Sequence, residues 1–159
     1  MIVLKIDFQK AFDSVSWEAL KKILAARGFG ERWIKWVDDI LTTSSSRIFV
    51  NGSPGEQILS KCGLRQGDAL SPYLFILVAD VLQQLCKREH QQGNLVHPLG
   101  ADGPFPILQY ADDTMILLRG DTQQAAVIKR ILDDFSNFSG LKTNYHKSTF
   151  VPIGIDQQT

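Results

Sequence analysis

The chain opens on an alternation. Ile2, Leu4, Ile6 and Phe8 fall on one side of an extended backbone and Val3, Lys5 and Asp7 on the other, which predicts a strand whose Asp7 points away from the most apolar face. The period then lengthens. Asp13, Ser14 and Ser16 offer side-chain oxygens to cap a helix over 17–26, which Gly28 and Gly30 can end. Trp33, Trp36, Val37, Ile40 and Leu41 recur at helical spacing and predict a second helix, with the Trp33 and Trp36 pair read as core. RIFVNGSPGEQILSKCG reads as two short strands around a turn at NGSPG. A long helix follows from SPYLFILVADVLQQLCKREH, with Pro72 near its start and an apolar stripe through Leu85 that predicts a mostly buried element. Three glycines and three prolines between positions 93 and 106 make that stretch a loop. PILQY and TMILLR read as strands on either side of a tight ADD turn, and the amphipathic TQQAAVIKRILDDFSNF predicts a helix that stops near Gly140. KSTFVPIG predicts a last strand, and IDQQT a frayed tail. Strand, helices, hairpin, long helix, hairpin and helix suit an α+β layer, an antiparallel sheet backed by helices.

Composition narrows the class. A chain of 159 residues can bury a single core without disulfide or metal staples, and 44% hydrophobic with 21% charged residues excludes the signature of disorder. Lysine and arginine number 17 and acids 17, so no net positive field announces nucleic acid, although a local basic face can sit beside an acidic pocket. Cys62 and Cys86 lack metal-ligand spacing and disulfide density, and read as reduced intracellular thiols. Charge among the first residues spoils a signal-peptide core, and YLFILVA is too short to span a bilayer, so no membrane partner is expected. His90, His97 and His146 are scattered, without a ligand pattern, and read as surface or loop residues.

QYADDTMILL sets the chemical question. A hairpin turn can use aspartate simply because its side chain satisfies nearby backbone donors. Here Asp112 and Asp113 lie between apolar strands, where like charges so close repel unless a cation neutralises them. Asp7 also follows an apolar strand and precedes an aromatic. Were the two strands neighbours, three carboxylates would converge, a set suited to a hard dication such as magnesium. Two such ions serve in-line phosphoryl transfer. The spacing leaves open whether the strands adjoin.

LKIDFQKAFDSVSW, GLRQGDALSPYLF, QYADDTMILL and SGLKTNYHKS, in this order, resemble the successive palm motifs of a reverse transcriptase of the non-LTR (LINE-type) retrotransposon and group II intron class. Each motif alone is weak; four in order are specific. The resemblance implies a palm-like domain over 1–154 with partial fingers elements, and an activity of RNA-directed DNA polymerase. Its cofactors would be two magnesium ions, with manganese as an alternative, and its partners an RNA template, a DNA primer and deoxynucleoside triphosphates. It also implies a nuclear location. Asp7, Asp112 and Asp113 become the catalytic carboxylates, with Asp7 and Asp112 the principal metal ligands, Asp113 more peripheral and the Phe8 carbonyl completing a metal shell. Phe12 matches the aromatic that crowds out a 2′-hydroxyl, and Tyr110 lies near the primer end. Gly63 and Gly67 permit close backbone approach, and Arg65, Gln66 and Gly67 face the incoming nucleotide or the template. Lys147 balances or protonates the pyrophosphate leaving group. Ala69 stands where the family has proline, a change in loop stiffness more than in chemistry. Taken singly, Phe12 reads rather as a core aromatic and Lys147 as a solvated surface charge, while Tyr110 reads also as a strand aromatic and Arg65 equally as a solvated charge.

The class carries fingers segments upstream and a thumb downstream, and neither has a counterpart among the four motifs, so a palm-centred piece with incomplete fingers and no thumb is expected. Two further readings remain: a non-catalytic remnant or nucleic-acid-binding module, and a nucleotide cyclase on a similar palm. GLRQGD and SGLKTN belong to the polymerase pattern and weigh against the cyclase.

Overall fold

The computed structural model describes residues 1–100 and 103–154. The expected tail at 155–159 and two positions of the 93–106 loop lie outside the described residues. In chain order the elements are β1 (Ile2–Ile6), α1 (Ala11–Ser14), α2 (Trp17–Ala26), α3 (Glu31–Thr42), β2 (Ser45–Val50), β3 (Ser53–Leu59), α4 (Ser71–Gln91), β4 (Ile107–Tyr110), β5 (Asp113–Leu118), α5 (Thr122–Ser139) and β6 (Thr149–Pro152).

Four of the strands form an antiparallel sheet in the order β4-β5-β1-β6. The first strand is therefore central, paired with β5 in the register Ile2↔Leu118 through Ile6↔Thr114 and with β6 from Ile2↔Pro152 to Lys5↔Thr149. Period-two alternation then sorts the side chains. Ile2, Ile6, Ile116 and Leu118 are buried in one core with Val78 and Leu82 of α4 and Ile128 and Phe135 of α5, and Thr114 is buried on the same face. The opposite face carries Val3, Lys5, Asp113 and Met115, all at least partly exposed.

Helix ends follow local chemistry. Ser16 caps α2 by accepting from the Ala19 N–H at 3.3 Å, and Asp121 caps α5 by accepting from Gln124 N–H at 2.8 Å. Gly140 ends α5 with φ of 84°. Gly63, also at positive φ, and Gly140 clasp the 13–16 segment from two sides: a Cβ on Gly63 would strike the Asp13 backbone and one on Gly140 the Ser14 carbonyl. Three bonds tie the clasp, from Gly63 N–H to Val15 O at 2.8 Å, Ser16 N–H to Ser139 O at 2.8 Å and Trp17 Nε1 to the Gly63 carbonyl at 2.7 Å.

Four expectations change. Trp33 and Trp36 are not core: they are 38% and 49% exposed, because α3 buries only the narrow line of Val37 and Leu41. The α4 helix is buried along one stripe, from Leu74 and Phe75 to Cys86, and leaves Tyr73 and Ile76 exposed; burial pushes the Cys86 thiol up to about 12. The β2/β3 turn is tighter than NGSPG. Asn51 and Gly52 both adopt positive φ, the conformation a two-residue hairpin demands, so Ser53, Pro54 and Gly55 join β3. His90 is no loop residue but sits partly buried on α4, its Nδ1 2.8 Å from the Leu95 carbonyl and its Nε2 3.2 Å from that of Gly103.

Candidate active site

The β1–β5 pairing answers the question the sequence left open: the two acid-bearing strands are neighbours. Continuing the register one step past Ile6↔Thr114 brings Asp7 level with Asp113. Tyr110 pairs with Asp113, so Ala111 and Asp112 alone form the hairpin tip, and Ala111 takes φ of 52°. That is a left-handed conformation an L-residue adopts only when its surroundings enforce it.

Asp7 is fixed from the far end of the chain. Its carbonyl accepts from Asn144 N–H at 2.8 Å, its N–H donates to Ser148 Oγ at 3.2 Å, and Gln9 N–H donates to the Lys142 carbonyl at 2.9 Å. Those bonds leave the Phe8 peptide groups on the side away from residues 142–144. The SGLKTNYHKS motif thus builds the wall of the site.

A cleft of about 740 Å³ opens here, room for a nucleotide. Asp7, Phe8, Phe12, Gln66, Asp112 and Lys147 all line it. Phe12 is held in place by stacking on Phe75 of α4, centroids 4.5 Å apart and planes at 12°. Gln66 reaches the Asp13 carboxylate at 3.4 Å and also borders an adjoining pocket of about 770 Å³.

The remaining predicted residues stand outside the cleft lining. Arg65 faces the adjoining pocket and donates to the Ser45 carbonyl at 3.2 Å. Tyr110 is 85% exposed. Gly67 takes φ of 85° with open space where a Cβ would be. Asp113 pairs with Lys5, Nζ to Oδ1 3.1 Å. The expected convergence of three carboxylates is therefore met by two on the cleft, and among the described residues no cluster of three metal-ligating side chains forms. The Lys5 ammonium stands beside Asp113 on the same sheet face, and the ion pair offsets the crowding of like charges.

Residues without an assigned role complete the lining: Lys10, Lys142 and Asn144, with Gln9, Ala11, Ser14 and Gly140. All lie inside the quoted motifs, which was their only signal. Three lysines, Lys10, Lys142 and Lys147, thus share a cleft with two carboxylates, the local basic face that a balanced total charge had concealed.

An antiparallel sheet backed by helices on one face, with carboxylates at a strand end and an adjacent hairpin tip, defines a polymerase-type palm. The chain belongs to the family described as reverse transcriptase (RNA-dependent DNA polymerase), whose model matches residues 1–156. It is 30% identical over 152 residues to the Pol polyprotein of the type-1 retrotransposable element R2 of Popillia japonica, covering 95% of this chain and 21% of that protein. It is 28% identical over 153 residues to that of the type-2 element R2DM of Drosophila melanogaster, covering 95% and 14%. These relatives bear out the LINE-type resemblance, and the chain spans about a fifth or less of their length. Telomerase from Candida tropicalis, solved with a fragment of telomeric RNA, superposes with a TM-score of 0.73 at 13% identity over 94% of this chain and 26% of that one. At that identity the likeness shows the fold alone, and it bears out the α+β palm-like architecture. No helix among the described residues is long and apolar enough to cross a membrane.

Proposed function

We propose that residues 1–154 form the palm domain of an RNA-directed DNA polymerase of the retrotransposon type, which extends a DNA primer on an RNA template with deoxynucleoside triphosphates. The observation that carries this reading is the shared cleft of Asp7 and Asp112, two acids far apart in sequence that face a lysine-lined wall and the Phe12 ring. The telomerase relative in fold is itself solved with RNA, which supports a nucleic-acid template here. A nuclear location goes with the same reading.

The donor set suits magnesium. That ion ordinarily binds through one or two carboxylates and completes its octahedron with waters and substrate phosphates, so Asp7 and Asp112, with the Phe8 carbonyl, are enough to hold it, and manganese accepts the same oxygen ligands. Bound there, two such ions would activate the primer hydroxyl and neutralise the triphosphate leaving group. The chain's own residues do the rest. Phe12, locked on Phe75, presents a flat ring that crowds a 2′-hydroxyl; Gln66, tethered to Asp13, borders the nucleotide space. Lys10, Lys142 and Lys147 supply positive charge toward phosphate oxygens, and Lys147 can deliver a proton to the departing pyrophosphate. Arg65 lines the adjoining pocket where the template approaches, Gly67 leaves its backbone open to a close approach of the substrate, and Tyr110 stands at the primer side of the hairpin tip. Asp113 is the peripheral carboxylate.

Primer extension on an RNA template with magnesium tests the reading. Product is expected, and Asp112→Asn is expected to reduce it by at least about a hundredfold. Primer-template binding without extension would instead favour a non-catalytic nucleic-acid-binding module, and product from a nucleoside triphosphate without primer would identify a cyclase.

A further inference from the structure

The pleat places Lys5 on the same face of the sheet as Asp113, and the pairing Lys5↔Met115 makes Asp113 its diagonal neighbour across the strands. The two side chains meet at 3.1 Å while remaining 51% and 59% exposed. A carboxylate that starts level with Asp7 is thereby drawn back along β1, away from the cleft that Asp7 and Asp112 line. The ammonium offsets repulsion among three acids at one strand end. It also stands in the way of a divalent cation, because a second positive charge so near opposes the first and engages an oxygen the cation would use.

We propose that Lys5 is a positioning residue for Asp113: it holds that carboxylate off the cleft and competes with a divalent cation for it. Asp113 is thereby kept peripheral, and Lys5 sets how much metal the site requires. The proposal rests on the reading of Asp7 and Asp112 as metal ligands.

Manganese(II) binding, followed by loss of the free-ion electron paramagnetic resonance signal, tests both and needs no turnover. The proteins are the full chain and its Lys5→Gln, Lys5→Arg, Asp113→Asn, Lys5→Gln/Asp113→Asn and Asp112→Asn variants. Both partners of the pair are solvent-exposed, so the variants are expected to fold, which circular dichroism verifies. Lys5→Gln is expected to tighten binding about threefold, the scale of an exposed ion pair. Lys5→Arg should match the parent chain. In the Asp113→Asn background the Lys5→Gln gain should vanish, because the coupling belongs to the pair. Unchanged or weaker binding in Lys5→Gln overturns the proposal, and so does an equal gain with and without Asp113, which would make Lys5 a remote charge. Asp112→Asn separates the two levels. If binding survives that change, the metal reading of the cleft fails and the proposal with it; if binding falls and Lys5→Gln is silent, only the proposal fails.

Discussion

Two glycines do more for this site than their chemistry suggests. Gly63 and Gly140 press on the backbone of residues 13–16, the end of α1 and its link to α2. Either one replaced by alanine meets both a left-handed φ and a backbone atom, whereas Gly67 at the same sign of φ meets only open space. Gly63→Ala and Gly140→Ala are expected to destabilise by about 2 kcal/mol or more, and Gly67→Ala by about 1 kcal/mol, measured by urea unfolding. The sequence singles out Gly63 and Gly67 alike, because both punctuate the same motif. What separates them is a neighbour brought from elsewhere in the chain. The acids show the same division. Asp7, Asp112 and Asp113 were legible as carboxylates by residue type, but the turn of Asp113 toward Lys5 was not, since it depends on a cross-strand diagonal that only the register creates.

At the scale of elements, period and caps were the readable part. Ser16 and Gly140 end their helices where the sequence placed them, and the ADD turn joins two strands. Tethers between elements were hidden. Gln124, in the first turn of α5, looks like a solvated polar residue, yet it is buried: its Oε1 accepts from Val96 N–H at 2.9 Å and its Nε2 donates to the Asn94 carbonyl at 3.0 Å. It thus satisfies a loop backbone as a neighbouring strand would. Beside it Glu89, also buried, pairs with Arg130 at 2.7 Å and accepts from Asn94 Nδ2 at 2.8 Å. Gln124→Ala leaves the Val96 N–H and Asn94 carbonyl without partners. A loss of about 1–3 kcal/mol is expected, with faster hydrogen exchange at the Val96 amide than at β1 amides; unaltered exchange there would show the loop to be held by other contacts.

For the molecule as a whole, the apolar pattern overstated the core. Trp33, Trp36 and Ile40 share α3 with the buried Val37 and Leu41, and hydrophobicity alone made one stripe of all five. The fold covers only part of it. Trp36→Gln should therefore shift stability by no more than about 0.5 kcal/mol, while Leu41→Ala should cost about 2–5 kcal/mol, read from the same denaturation curves. A large loss in Trp36→Gln would return that residue to the core.

By itself the sequence determined the chemistry available and the faces on which it lies: the order of the four motifs, the acids that close apolar runs, and the alternation that turns Lys5 and Asp7 away from Ile6. Those are local properties, set by residue type and by the two backbone periods. Only the tertiary structure decided that β1 lies between β5 and β6, that Asn144 and Ser148 anchor Asp7, and that Asp112 joins it on a cleft while Asp113 is held by Lys5. The physical reason is that periodicity says which side chains share a face but not which other segment comes to lie against it. That choice is made by packing and strand pairing summed over the whole chain.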